Sequence, residues 1–258
     1  MISKEQKCQI IAEIRKAYDK RAFEFFKEKK FQSLTNTGKW HALIYCILAG
    51  TQVPVEIARK AYEAIIAYKD DEGAIADMKR LAKQSKDDLD KLEAIVRGVG
   101  YRYPRQKSNC IMQAATYFQM EYGGDINLFL ESAKDGRVLR DKLKNRVKGI
   151  GIKIATHWLR NIGYELGTID IHVRRLLEWT KLADIDFWPK SMSERLFRTL
   201  EKEIEELASI ANVDLNVLQY ELWLFGRNYC SKNRCKECPA ANVCPKGLRV
   251  SDQERERD

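Results

Sequence analysis

Long apolar runs are absent from this 258-residue sequence. No segment approaches the about 20 consecutive apolar residues that a helix needs to cross a bilayer, and residues 1–7 lack the apolar core of a signal peptide. These absences argue against a helical membrane protein and against secretion. We therefore expect an intracellular protein, in the cytoplasm or the nucleoid, that has no membrane partner.

Strict alternation of apolar and polar residues, the pattern of half-buried strands, is also scarce. Most segments instead repeat apolar residues every three or four positions, as amphipathic helices do. The sequence has no internal repeat and no low-complexity tract. A chain of this length can bury the core of one large or two modest domains. The sequence predicts an all-α protein.

Basic residues exceed acidic ones, with 46 Lys and Arg against 37 Asp and Glu and a net charge of +9. An excess of this size suits a polyanionic partner such as nucleic acid, but it equally suits solubility alone. Charge by itself therefore leaves the partner open.

The seven cysteines fall into two groups. Three are scattered, and in a reducing compartment we expect them to be small core residues: Cys8, Cys46 and Cys110. The other four lie within fifteen residues near the end of the chain: Cys230, Cys235, Cys238 and Cys244. A zinc site usually draws on two separated pairs, whereas one compact loop suits a [4Fe-4S] cluster. The spacing favours iron-sulfur over zinc and leaves zinc as the alternative.

A Gly149-Ile150-Gly151 turn joins two helical patterns, the first of which has Asp135 as a candidate N-cap. Glycines accept positive φ and allow close approach of another surface. The free N–H groups at the start of the second helix would attract a phosphate, and Lys148 adds positive charge there. We expect Ile150 to pack back between the helices. On its own, such a turn is equally typical of an ordinary helix-helix connection.

More specific residues accompany the hairpin: Lys153 two positions after its second glycine, the segment His157–Gly163, and Asp170 within Ile169–Val173. The combination resembles the helix-hairpin-helix DNA glycosylases. It is most similar to the second family of 8-oxoguanine DNA glycosylase/lyases, found in archaea and some bacteria, and more distantly to endonuclease III. The resemblance implies that Lys153 is the nucleophile and Asp170 the catalytic aspartate.

The resemblance also implies DNA contacts outside the hairpin. The apolar segment Trp40–Gly50 predicts a buried central helix, and the polar residues after it include Gln52. Gln52 would be the side chain that enters the DNA stack, or else an ordinary loop residue. His172 would contact a phosphate or cap the next helix.

The stretch Gly98–Ser108 is rich in glycine, aromatic and basic residues, and it leads into a helix predicted from Asn109. Arg102 is the residue of this stretch that we assign to DNA. The stretch supplies further candidates for phosphate contact or base stacking, namely Arg105, Lys107, Tyr101 and Tyr103. The alternative is an inter-helix turn with solvated charges.

The cysteine loop is similar to the C-terminal cluster loop of endonuclease III and the adenine glycosylases, which usually has six residues, rather than four, between its first two cysteines. The shorter loop puts in doubt a phosphate contact by its basic residues, Lys232, Arg234 and Lys236. The archaeal 8-oxoguanine enzymes normally lack such a loop. The chain thus combines the hairpin of one family with the tail of another, which makes the reaction more certain than the damaged base.

These observations predict a two-lobed helix-hairpin-helix glycosylase with a C-terminal [4Fe-4S] loop. Residues 37–163 would form a six-helix lobe, residues 1–36 with 164–246 a second lobe that holds the cluster, and residues 247–258 a polar tail. We expect a monomer that acts on damaged double-stranded DNA as a glycosylase and AP lyase, with 8-oxoguanine favoured. The alternatives are excision of oxidised pyrimidines and a non-catalytic, DNA-binding iron-sulfur protein.

Overall fold

The computed structural model describes residues 2–27, 34–50, 53–185, 189 and 191–255. Helices dominate this part of the chain, as the sequence predicts. They are α1 (Lys4–Lys27), α2 (Asn36–Ala49), α3 (Val55–Ala67), α4 (Met78–Ala82), α5 (Lys86–Gly98), α6 (Pro104–Tyr122), α7 (Ile126–Glu131), α8 (Gly136–Arg146), α9 (Ile152–Asn161), α10 (Ile171–Thr180), α11 (Glu194–Ala211), α12 (Leu215–Asn228) and α13 (Pro245–Arg255).

Strand structure in the described residues is limited to two short antiparallel segments, β1 (Lys69–Asp70) and β2 (Gly73–Ala74). No helix among these residues is long and apolar enough to cross a bilayer. The chain divides into two compact units, Met1–Lys29 with Glu165–Asp258, and Lys30–Tyr164. The lobe limits given above remain a prediction.

Helix α2 is the centre of the unit that spans residues 30–164. Thr35 caps its first turn by accepting a hydrogen bond from the Gly38 N–H. Its buried side chains form much of the core: Trp40, Leu43, Ile44, Cys46, Ile47 and Leu48. The indole N–H of Trp158, on α9, donates to the Lys39 carbonyl over 2.9 Å. Helix α9 is therefore fastened directly to the central helix.

A buried ion-pair network closes the β-hairpin against α4 and α5. The guanidinium of Arg80 is only 5% exposed and donates to Asp88 over 2.6 Å, to Asp70 over 2.5 Å and to the Gly73 carbonyl over 2.9 Å. The hydrogen bond from Arg80 holds the pKa of Asp70 well below its usual range. A buried arginine needs partners on several sides, and three elements of this unit supply them.

Helix α12 is the centre of the other unit. It packs on α1, α10 and α11 through apolar side chains, among them Leu218, Leu222 and Phe225. The side chain of Gln219 bonds to both backbone groups of Thr168, accepting from its N–H over 2.9 Å and donating to its carbonyl over 2.8 Å. These two bonds fix the extended segment that leads into α10.

Candidate active site and DNA interface

The hairpin between α8 and α9 has the predicted form. Asp135 caps α8 by accepting a hydrogen bond from the Arg137 N–H over 2.8 Å. The Ile150 N–H donates to the Val147 carbonyl over 3.1 Å, which closes the turn. Ile150 is only 3% exposed, so the residue between the two glycines packs inward as expected.

The two hairpin glycines have different roles. Gly149 has φ +95°, and a Cβ built there would lie 3.0 Å from Cys110 Sγ on α6. Gly151 has φ −88° and ψ 174°, and a Cβ there would meet nothing within 4 Å. Of the two glycines, only Gly149 thus adopts the positive φ that glycine tolerates. The fold itself explains the first glycine, whereas nothing in the described chain explains the second.

The first turn of α9 has the character of an anion site. Gly151 is its N-cap residue and has no side chain to accept a hydrogen bond from the first N–H groups. Lys148 is exposed just before this turn. Free N–H groups, the positive end of the helix dipole and a lysine together favour a bound phosphate.

Lys153 is the second residue of α9 and is half-buried. Among the described residues, no carboxylate forms an ion pair with it. Its neighbours are cationic or neutral: Lys107 is 3% exposed, and its pKa is lowered mainly by burial and also by the charge of Lys153. Burial, with Arg160 and Lys153, lowers the pKa of His157 to about 3, so that this imidazole is neutral. The amine is thus not held by an acidic partner.

The next residue, Ile154, places the start of α9 against the end of α2. A Cβ at Gly50 would lie 2.4 Å from Ile154 Cγ1, so the two backbones approach closely only because residue 50 is glycine. Gln52, the residue predicted to enter the DNA stack, lies outside the described residues.

Asp170 has both carboxylate oxygens engaged. It is the N-cap of α10, and its Oδ1 accepts from the His172 and Val173 N–H groups, each over 2.9 Å. Its Oδ2 accepts from the indole N–H of Trp223 over 2.9 Å. Sequence reasoning missed this contact, and the Trp223 side chain is half-buried. The spacing of α12 carries no signal for a bond to a residue 53 positions away.

His172 lies next to the cysteine loop. Its Nδ1 is 2.6 Å from the hydroxyl of Ser231, in the 3₁₀ turn Cys230–Lys232. A Cβ at Gly226 would lie 2.5 Å from the His172 carbonyl oxygen. The cap of α10 is Asp170, so the alternative of a capping role for His172 is wrong and a phosphate contact remains a prediction.

The stretch Gly98–Ser108 differs from the expectation, because α6 begins at Pro104 rather than at Asn109. Proline is favoured in a first helical turn, since its missing N–H would have had no partner there. Tyr101 is 4% exposed and its hydroxyl donates to the Leu48 carbonyl, and Lys107 is buried. These two residues are therefore not a surface for DNA.

Two arginines of this stretch also differ from each other. Arg105 forms ion pairs with Asp90 over 2.5 Å and with Glu93 over 2.9 Å. Arg102 is exposed, with its guanidinium 5.1 Å from the centre of the Tyr103 ring. Arg102 and Tyr103 remain available for nucleic acid.

The four clustered cysteines line one cavity, together with Trp179, Phe225 and Tyr229. None of them is in a disulfide. Burial, with the neighbouring thiols, raises the pKa of Cys230 to about 12, and burial raises the pKa of Cys238 to about 11. Among the described residues, no three His, Cys, Asp or Glu side chains converge tightly enough to bind a single metal ion. The four thiols thus share the lining of one cavity.

The basic residues of the cysteine loop and the three scattered cysteines differ in their surroundings. Arg234 pairs with Glu237, and its guanidinium lies 6.0 Å from the centre of the Tyr229 ring, whereas Lys232 is exposed. Among the scattered cysteines, Cys46 and Cys110 are buried as expected. Cys8 is exposed, so its assignment to the core is wrong.

Comparisons with known proteins agree with this geometry. A family model described as Ogg-HhH, 8-oxoguanine DNA glycosylase, matches residues 18–213, more than half of the chain. The 8-oxoguanine DNA glycosylase/AP lyase of Korarchaeum cryptofilum is 26% identical over 214 residues, which cover 81% of this chain and 88% of that protein.

Solved structures give the same result. The Methanocaldococcus jannaschii 8-oxoguanine glycosylase/lyase, in complex with a 15mer DNA containing 8-oxoguanine, matches with a TM-score of 0.62 and 25% identity, over 86% of this chain and 98% of that chain. A trapped endonuclease III–DNA covalent intermediate shares the fold with a TM-score of 0.70 at 19% identity, over 97% of this chain and 100% of that chain. The predicted all-α glycosylase fold is confirmed. The chain belongs to the helix-hairpin-helix family of 8-oxoguanine DNA glycosylases.

Proposed function

We propose that this chain is a bifunctional DNA glycosylase and AP lyase that excises an oxidised base, with 8-oxoguanine favoured, from duplex DNA. The observation that carries the proposal is Lys153, a half-buried lysine without an acidic partner among the described residues, in the first turn of the helix that follows the hairpin. The names of the relatives support the same activity and substrate.

Lys153 is the proposed nucleophile. Its neutral Nζ attacks the sugar carbon that bears the base, a C–N bond forms, and the glycosidic bond breaks as the base leaves with its electron pair and a proton. The C1′–O4′ bond then breaks as the nitrogen lone pair forms the C=N bond, and the remaining amine proton passes to O4′, which gives a ring-opened Schiff base. Removal of the neighbouring C2′ proton then expels the 3′ phosphate by β-elimination.

Asp170 is proposed to act as a carboxylate. Its negative charge stabilises the positive charge that develops on the sugar as the base departs. The target nucleotide must first leave the duplex, at an unstacking cost on the order of a few kcal/mol, and Gln52 is the proposed side chain that fills the gap.

Phosphate contacts are proposed for the hairpin and for two further side chains. Lys148 and the backbone of Gly149, Ile150 and Gly151 bind one phosphate at the start of α9. Arg102 and His172 bind others. A monomer is sufficient for this arrangement, with residues 37–163 as one lobe and residues 1–36 with 164–246 as the other.

A [4Fe-4S] cluster is the proposed occupant of the cavity lined by Cys230, Cys235, Cys238 and Cys244. A tetrahedral zinc ion, with Zn–S bonds of about 2.3 Å, would require the sulfurs to lie about 3.8 Å apart around one point. In a [4Fe-4S] cluster each thiol binds a different iron, and four thiols of one compact loop that line a single cavity suit that arrangement. The cluster, when bound, would supply four covalent links that hold the loop together.

Excision of oxidised pyrimidines is the second candidate, and the cysteine loop favours it. The structural match to endonuclease III covers 97% of the chain. The unmatched residues are fewer than those of the cysteine loop, so the match includes at least part of this loop. The family model, by contrast, ends at residue 213, before the first of the four cysteines.

Substrate choice is tested by single-turnover cleavage of duplexes that carry 8-oxoguanine, thymine glycol, dihydrouracil, uracil or an abasic site. We expect excision of 8-oxoguanine, and a loss of about 1,000-fold or more in Lys153→Gln because the nucleophile is removed. Lys60→Gln, at an exposed position on α3, is the matched control and keeps the wild-type rate. Preferential excision of the pyrimidines would support the second candidate, and binding without any cleavage would contradict an enzymatic role.

The two hairpin glycines provide a paired test of the DNA interface. Gly149→Ala forces a strained φ and a contact with Cys110, so we expect the free energy of unfolding to fall by about 1–3 kcal/mol. Gly151→Ala meets nothing in the chain and changes that free energy by less than about 0.5 kcal/mol. Its Kd for duplex DNA rises about 10-fold, because the Cβ takes the space of the phosphate. Wild-type affinity in Gly151→Ala would contradict a phosphate at this turn.

The cofactor is tested by metal and sulfide analysis of protein purified without air. We expect about four iron and four labile sulfide per chain, with broad visible absorbance. Cys238→Ser should lose both, whereas Cys8→Ser, at an exposed cysteine away from the loop, should keep them. One zinc per chain in a colourless protein would overturn the assignment.

A further inference from the structure

One face of α12 holds the extended segment that ends in Asp170. Gln219, Trp223 and Gly226 are spaced by four and three residues and therefore share a face of the helix. Gln219 and Trp223 contact Thr168 and Asp170 in the segment, and Gly226 lies against His172 in the first turn of α10. Three successive contacts thus join this face of α12 to the segment and to the start of α10, and the contact to Asp170 is the middle one.

The hydrogen bonds to Asp170 leave its carboxylate with little unused capacity. An ionised carboxylate offers about four lone-pair directions, two on each oxygen. The two backbone N–H groups at the start of α10 occupy Oδ1, and the indole N–H of Trp223 occupies one direction of Oδ2. A single direction, on Oδ2, has no partner among the described residues.

The indole that donates to Oδ2 is itself held in place. The Trp223 ring lies 5.9 Å from the ring of Tyr220, at an interplanar angle of 32°. The guanidinium of Arg227 lies 5.3 Å from the centre of the Trp223 ring. Contacts from the preceding and the following turn of α12 thus limit rotation of the indole and aim its N–H at Asp170.

We propose that Trp223 is a positioning residue for Asp170, and that its indole N–H selects which lone pair of the carboxylate faces the sugar. This inference rests on the proposed function. The helix cap alone fixes Oδ1 and leaves Oδ2 free to rotate about the Cβ–Cγ bond within the limits of those two hydrogen bonds. The indole N–H fixes the second oxygen as well, so the remaining lone pair has one orientation before DNA binds.

The donor can be removed or restored with little change in the ring. Trp223→Phe keeps an aromatic ring and loses the N–H. Trp223→His places its Nε2 where the indole nitrogen lies, because the two five-membered rings superimpose. Asp170→Ser keeps a good N-cap residue but removes the carboxylate.

Single-turnover excision on the duplex that the wild type cleaves is the first measurement. We expect Trp223→Phe to lower the rate constant about 10-fold, as for loss of a hydrogen bond to a charged group. Trp223→His should recover to within about threefold of wild type, and duplex affinity should change less than about twofold in both. In the Asp170→Ser background, Trp223→Phe should have less than about a twofold further effect.

Two results would overturn the proposal: a wild-type rate in Trp223→Phe, or the same 10-fold loss with and without the Asp170 carboxylate. The second would mean that the indole acts on something other than Asp170. A wild-type protein that cleaves none of the substrates would instead refute the proposed function.

An indole N–H spectrum tests the contact without any activity. The protein has five tryptophans, so five indole resonances are expected. Asp170→Ser should shift the Trp223 resonance and leave that of Trp158, whose N–H donates to the Lys39 carbonyl, in place. An unshifted Trp223 resonance would show that the bond to Asp170 is not formed in solution.

Discussion

The close contact between the Gly149 backbone and Cys110 determines where α9 begins. Only a residue without a Cβ can adopt φ +95° at this short distance from α6, so the chain must turn here and start the new helix three residues later. The position at which α9 begins determines where Lys153 and the uncapped N–H groups of its first turn lie. A second close contact, between Gly50 and Ile154, fixes the same turn from the side of α2.

In the other unit, one carboxylate is proposed to serve both the fold and the chemistry. Asp170 caps α10 through Oδ1 and accepts the Trp223 indole through Oδ2. The first turn of α10 also contacts the cysteine loop, because His172 lies within hydrogen-bond distance of Ser231. A displacement of Ser231 would therefore act on His172, whose N–H donates to Asp170.

Local patterns in the sequence predicted the hairpin, the cap at Asp135 and the inward packing of Ile150, because each depends on residues only a few positions apart. Contacts between distant segments could not be predicted in this way. The burial of Tyr101 and Lys107, the exposure of Cys8 and the bond from Trp223 to Asp170 all depend on which elements pack together. The early start of α6 was predictable in principle, since Pro104 is a typical residue of a first helical turn.

The proposed activity depends most on the amine of Lys153, which forms the covalent bond to the sugar. The most direct test is borohydride reduction of the protein with an abasic duplex, followed by mass spectrometry of the cross-linked peptide. We expect a nucleotide adduct on Lys153 and none in Lys153→Gln. An adduct of equal yield in Lys153→Gln, or one located on Lys107 or another amine in the wild type, would contradict it.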